Sequence, residues 1–453
     1  VLNNNCSLLA FSLFHPFPSC SLLAFPMLSV AQAENTILQL TSPLDPEHDI
    51  ETLNLLDASG RILAEAVASA LDFPHWDNSA MDGYAVRYED VKSCTGDRPI
   101  KLDIVEEIPA GYQPQKTIQS GQAARILTGS VMPAGADTIV IQEDTQRQDN
   151  QVTILTAPKP QAFVRRQGEF YRAGACLLPI GTLLRAPEIA VLAAAQCAQV
   201  KVYRRPRVAI LSTGSELIDV NQPLQPGQIV DSNQYALASL VAQMGAIPLR
   251  LGIVPDQPEA LAQAMAEAIA AADVVLSSGG VSVGDYDYVE GILAKLGAEI
   301  HIRAVAVKPG KPLTVATIRE QGDKGINSKS AYTPRSTPHT LYFGLPGNPV
   351  SALVTFWRFV QPALRKLAGL PQSVWGPTFI NAKTRVELRS DGKRESYLWG
   401  QLHLVNGQHE FDVARGSHSS GNLINLAGSS GLAVIPVEQM LVQAGEVVQV
   451  LML

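Results

Sequence analysis

Between residues 207 and 370 two hydrophobic patterns alternate. Val208–Leu211, Ile247–Ile253, Asp273–Leu276 and Ile302–Val307 are short, nearly continuous apolar runs, whereas Ser232–Met244, Gln257–Ala270 and Tyr286–Leu296 carry apolar residues at helical spacing. Strands covered on both faces need the first pattern, and helices with one buried face need the second. Their alternation predicts a three-layer α/β domain with a mostly parallel sheet, in which ligands bind beyond the strands' carboxyl ends. The second helix shows an N-terminal signature, with Asp256 as its cap, Pro258 in its first turn and Glu259 as the box acid. Residues 313–317 and 339–344 read as a hairpin around a polar surface stretch. Gly347-Asn348-Pro349 opens a further helix.

The flanking regions differ. Lys101–Val105, Ala123–Leu127, Thr138–Gln142 and Gln151–Leu155 are strand-like and separated by Pro-Ala-Gly turns, so they predict a small inserted β domain. Helical patterns lie on both sides of it: residues 27–40, with Leu28, Ala31, Ile37, Leu38 and Leu40 near one face; a segment from Asp49 carrying Leu53, Leu55, Leu56, Ile62 and Leu63; and a helix from Ala186. The N-terminal helical domain is therefore expected to be discontinuous, over 27–70 and 165–200, with the β domain over 71–164. The α/β domain spans 201–370, and short strands over 371–453 predict a β-barrel-like C-terminal domain. Residues 1–26 are expected to be an extension outside the folded protein, with Met27 as its natural start: Pro16, Pro18 and Pro26 interrupt any membrane helix, and no Lys or Arg precedes Arg61.

Composition narrows the function classes. A chain of 453 residues is too long for one ordinary core. Its 35 basic and 42 acidic residues, net −7, leave no global footprint for nucleic acid, and neither stable membrane association nor a disulfide scaffold is expected. Five cysteines without CxxC spacing fit a reducing, cytoplasmic compartment.

The candidate chemistry lies in loops of small residues after the apolar runs. Ser212–Leu217 (STGSEL), Ser277–Asp287 (SSGGVSVGDYD), Lys308–Pro312 (KPGKP) and Gly344–Ser351 (GLPGNPVS) can bring backbone N–H groups and hydroxyls to an oxyanion. Gly279, Gly280 and Gly284 expose main-chain donors, and Ser278 and Ser282 add hydroxyls. Asp285 or Asp287 could hold Mg²⁺ or a polar heterocycle, as carboxylates do for hard cations. Lys308 and Lys311 bracket Gly310 and suit phosphate or a tetrahedral anion, with Ser351 as a companion donor. No GxxxxGK[ST] motif supports a nucleotide-driven engine, and no glycine fingerprint follows the first strand. Asp82, in Met81-Asp82-Gly83-Tyr84, and Glu216 are candidate carboxylates; turn formation also explains Asp82, and helix capping Asp256.

Six separated signatures in order, Asn78–Ala85, Ile126–Asp137 and the four loops above, make the chain from Met27 to Leu453 resemble the MoeA/gephyrin E-domain family of molybdenum cofactor biosynthesis. The resemblance implies insertion of molybdate into adenylylated molybdopterin with release of AMP, Mg²⁺ dependence and a homodimer with clefts between subunits. It also implies a molybdopterin adenylyltransferase and recipient molybdoenzymes as partners. Asp82, Glu216, Asp287 and Lys308 would be catalytic; Asp82, Glu216, Asp285 and Asp287 would serve the metal. Asp82, Thr128 and Glu216 would face the cleft, Asp256 and Asp287 the pterin and Mg²⁺ side, and Lys308 and Ser351 the molybdate side, with Arg165 or Arg166 approaching across the dimer. Arg394 and Ser420 match a ligand-facing arginine and a Gln-x-Ser-Gly loop in which His418 takes the glutamine's place. Ser215 replaces a customary acid and Ala304 a customary basic residue beside Arg303. A non-catalytic pterin-binding scaffold or interaction protein is the alternative.

Overall fold

The computed structural model describes residues 27–279, 288–319 and 337–453. Contacts divide the described residues into two compact units: those up to Pro43 with those of Pro206–Leu367 and Gln372–Leu453, and Leu44–Arg205 with Ala368–Pro371.

In the first unit the α/β sheet runs in the order Ile247–Val254, Arg207–Thr213, Val274–Ser278, Thr340–Leu345, Pro312–Ile318, Ala298–Ala304. The first four strands are parallel, and the predicted hairpin supplies the antiparallel pair Pro312–Ile318 with Thr340–Leu345. Leu211, Val275 and Tyr342 on the sheet pack with Leu261, Met265 and Leu293 of the helices Pro258–Ala271 and Tyr288–Lys295. Burying each large side chain of this kind contributes about 1.5–3 kcal/mol. The helix opened by Pro349 runs to Thr355 and passes through a π-helical turn, Phe356–Val360, into Gln361–Leu367.

The C-terminal strands close on themselves as the barrel-like pattern predicts. Glu395–Val405 pairs with both Gln408–Val413 and Gly431–Ile435, and Phe379–Thr384 and Val447–Met452 complete the ring. One additional strand joins this sheet from the α/β domain: Val307–Lys308 lies parallel to Glu395–Ser396. Backbone hydrogen bonds thus place the KPGKP loop against the barrel.

The second unit contains the inserted β domain, a sheet ordered Thr138–Ile141, Gly83–Val86, Gln122–Ile126, Ile100–Ile108, Gln151–Ile154, Thr145–Gln148. Gly83–Val86 is buried on both faces, with Tyr84 and Val86 in one core and Ala85 in the other. The N-terminal region is discontinuous: Ile50–Asn54 pairs with Gln199–Tyr203, and Val67–Ala68 with Cys176–Leu178, beside the helix Ala186–Ala194.

Two helical expectations are corrected. The segment from Asp49 begins as the strand Ile50–Asn54, its partner lying far along the chain, and Leu56 is left exposed in the following turn. In the first helix, Val30–Leu40, Ser29 is the cap and forms a box with Gln32, so Leu28 precedes the helix and bridges to Val305. Ile37 is buried as expected, but its companions on the buried face are Val30 and Ala33. This helix packs on the α/β domain, with Glu34 to Arg358 at 2.9 Å and Lys366 Nζ donating to Leu38 O at 2.7 Å.

Candidate functional site

A cavity of about 460 Å³ in the first unit is lined by Lys308, Lys311, Ser351, Arg394 and Ser420, all singled out from sequence, and by Arg389, Trp399 and His418. Its volume lies within the range of small-molecule sites. The fold supplies each wall separately. Lys308 sits on the short strand joined to the barrel. Gly310, at φ +115°, lets the KPGKP turn lie against the next helix: a Cβ there would come within 2.6 Å of Thr355 Cγ2. Val350 N–H donates to Ser420 O at 3.0 Å, stitching the Ser420 loop to the first turn of the helix that carries the buried Ser351. Arg394 comes from the start of the long barrel strand, and its Nη1 donates to Val307 O at 3.4 Å.

Four cationic side chains line this cavity, and among its described lining residues there is no carboxylate. Beside it, Lys308 Nζ lies 3.0 Å from Asp391 Oδ2, and Arg394 Nη2 is 3.9 Å from the same oxygen. The Lys308 hydrogen bond, the Lys393 backbone N–H and the nearby positive charges hold the Asp391 carboxyl below the usual carboxylate range. Ser351 and Ser420 add hydroxyl groups among the cations. Such a set can hold a compact, multiply charged oxyanion.

Sequence reasoning did not single out Arg389 or Trp399. Arg389 has a largely exposed side chain that pairs with Glu387 two residues away, and such an arginine carries no distinguishing signal. Trp399 reads as an ordinary barrel-core residue and is buried, with its ring centroid 4.7 Å from that of His418. His418 Nε2 lies 2.8 Å from Ala414 O. Arg303, adjacent to the Ala304 departure, pairs with Glu290 at 2.9 Å.

At the carboxyl ends of the parallel strands, Asn233 Nδ2 donates to Ser278 Oγ at 2.6 Å and to Gly347 O at 2.8 Å, joining two of the predicted loops. Gly279 continues the Ser278 strand end, its N–H donating to Leu345 O at 3.3 Å. Asp256 departs from its expected capping role: Gln257 occupies the cap position, and Asp256 Oδ2 instead accepts from Ser215 N–H at 3.2 Å. The Asp256 carboxylate is thereby drawn toward the loop carrying the exposed Glu216. Gly280, Ser282, Gly284, Asp285 and Asp287 lie outside the described residues. Among the described residues, no three His, Cys, Asp or Glu side chains form a metal-holding group.

The second unit carries Asp82 and Thr128. Asp82 Oδ1 accepts from both Thr128 N–H and Thr128 Oγ1 at 2.7 Å. The backbone bond, then the hydroxyl bond, keep the half-buried Asp82 carboxyl below the ordinary range. Gly83 makes this loop possible, since a Cβ there would lie 2.1 Å from Val140 O. Arg166 pairs with Asp77 at 2.5 Å, and Arg165 lies in the short strand Val164–Arg165 paired with Asn78–Ser79.

Three family models match in order: the MoeA N-terminal region (domain I and II) over residues 28–195, a probable molybdopterin binding domain over 209–366, and the MoeA C-terminal region (domain IV) over 381–453. The molybdopterin molybdenumtransferase of Nostoc sp. is 59% identical over 94% of this chain and 94% of its own length. That of Haemophilus influenzae is 35% identical over 94% of this chain and 98% of its own. The solved structure of a molybdopterin biosynthesis MoeA protein from Pyrococcus horikoshii superposes with a TM-score of 0.76 at 27% identity, covering 94% of this chain and 100% of that one. No described helix is long and apolar enough to cross a membrane. With its three regions matched in sequence and order, and the cationic cavity formed where two of them meet, the chain belongs to the MoeA family of molybdopterin molybdenumtransferases.

Proposed function

We propose that this chain inserts molybdate into adenylylated molybdopterin and releases AMP, as a homodimer in the cytoplasm, with the four-module division read from its sequence. The observation that carries this reading is the convergence of Lys308, Arg394, Ser351 and Ser420 on one cavity. Insertion exchanges oxo oxygens of a dianion, which take up protons and leave as water, for two dithiolene sulfurs, so the protein must hold MoO₄²⁻ while negative ligands approach it. Fixed cations and hydroxyls that are already oriented stabilise that build-up of charge without reorganising. The ligand supplies the sulfurs, and the reaction requires no protein thiol.

Asp256, Glu216 and the Ser278–Gly279 strand end serve the pterin and phosphate side, with Asp285 and Asp287 of the same sequence motif. Mg²⁺ suits such a set, because it needs few protein carboxylates and keeps several waters, and Asp256 is drawn by Ser215 toward the Glu216 loop. When bound, the ion neutralises phosphoanhydride charge. Asp82, kept ionised by Thr128, is a fixed carboxylate of the second unit. Molybdopterin adenylyltransferase supplies the substrate, and recipient molybdoenzymes take the product.

The test is to incubate the protein with adenylylated molybdopterin, Mg²⁺ and molybdate, following AMP and pterin-bound molybdenum together. Stoichiometric appearance of both is expected. Tight pterin binding with neither product would overturn the transferase reading in favour of a scaffold. Sedimentation at twice the chain mass checks the dimer.

A further inference from the structure

Lys308, one of the four cations that line the cavity, already has an anion beside it. Asp391 stands in the turn between the strands Leu388–Arg389 and Glu395–Val405, on the rim of the cavity. Lys393 N–H holds its Oδ1 at 3.0 Å, which directs Oδ2 to Lys308 at 3.0 Å and toward Arg394 at 3.9 Å. Gly392 N–H donates to Ser390 Oγ at 3.1 Å, and Ser390 N–H donates to Met440 O at 2.9 Å, so the turn is anchored. The side chains of Lys308 and Asp391 remain 47% and 32% exposed, which leaves both able to separate.

We propose that Asp391 is a built-in counter-anion that sets the charge selectivity of this cavity: a dianionic oxyanion displaces its carboxylate from Lys308, and a monoanion does not. The proposal rests on the cavity being the oxyanion seat. A tethered carboxylate competes at high effective concentration, and a monoanion that replaces it gains no charge over the pair it breaks. A dianion brings a second negative charge to the remaining cations, Lys311 and Arg394, which offsets the cost of the exchange. On release, Asp391 turns to solvent and keeps its Oδ1 bond to Lys393.

The experiment is equilibrium dialysis of the full chain against molybdate, with nitrate as competing monoanion, for the unaltered protein, Asp391→Asn and Lys308→Ala. Asn retains the acceptor for Lys393 and puts an uncharged amide where the carboxylate oxygen faces Lys308. Asp391→Asn should bind molybdate about two- to fivefold more tightly, the range an exposed ion pair spans, and should become sensitive to nitrate. Lys308→Ala should bind molybdate more weakly. Unchanged or weaker binding by Asp391→Asn, with thermal stability kept and Lys308→Ala still impaired, overturns the proposal alone. Should Asp391→Asn lose stability, Asp391→Ser retains a side-chain acceptor and decides by the same sign. Equal molybdate binding by the unaltered protein and Lys308→Ala, or none by either, overturns the oxyanion seat and this inference with it.

Discussion

At Asp82 one carboxylate oxygen accepts two hydrogen bonds from a single residue, Thr128, whereas at the Lys308 cavity four cationic side chains surround open space. The first is an anion whose orientation is fixed by close, short bonds. The second is a gathering of positive charge with carboxylates only at its edge, among the described ion pairs: Asp391 beside Lys308 and Glu387 beside Arg389. The difference separates two ways of preparing a site: locking one charge in place, and gathering like charges that a ligand then balances. Gathering is the costlier arrangement, because like charges repel until the ligand arrives, and it requires a fold that holds strands from two domains in register.

Substitutions can break this contrast, beginning with the largest effect. Lys308→Ala should reduce metal insertion about 100-fold or more, as loss of a charge-stabilising group does, while leaving the thermal midpoint little changed. A parallel loss of fold would show that Lys308 is structural. Gly83→Ala should do the reverse: forcing a Cβ against Val140 O costs about 1–3 kcal/mol, read as a lower urea midpoint for the second unit with molybdate binding retained. Thr128→Val removes the hydroxyl donor to Asp82 but keeps the backbone donor, and an approximately tenfold loss of turnover is expected from one hydrogen bond to a charged group. Equal activity would mean that the backbone bond alone orients Asp82.

The smallest effect concerns acid. Because Asp82's folded-state pKa lies below its unfolded value, its stabilising bonds are fully present above the ordinary aspartate range and are lost as pH falls through the depressed value. The Thr128 amide resonance should therefore shift only at a pH below that of an unperturbed aspartate. In Asp82→Asn the shift should vanish. A midpoint at or above the ordinary range would contradict the locked-carboxylate description.

Much of this was legible locally. The parallel strands, the inserted β domain and the helix at Ala186 follow from periodicity, because burial on both faces or on one leaves distinct patterns. Lys308, Lys311 and Ser351 could be singled out because glycine and proline fix the turns around them. Arg394 and Ser420 were identified through family resemblance, and Arg389 and Trp399 gave no signal. Ile50–Asn54 read as helix because its pairing partner, Gln199–Tyr203, lies beyond the whole β insertion.

The sequence by itself determined the order of modules, the phosphate-like loops and the residue types able to bind an oxyanion, because helical and strand periods and turn chemistry are local properties. Only the tertiary structure decided that Asp256 answers Ser215 rather than capping a helix, that Val307–Lys308 joins the barrel sheet, and that Asp391 faces Lys308. Each of these depends on strand register and chain closure between distant segments. Such contacts are selected by the free energy of the whole packed unit, which no short window of sequence contains.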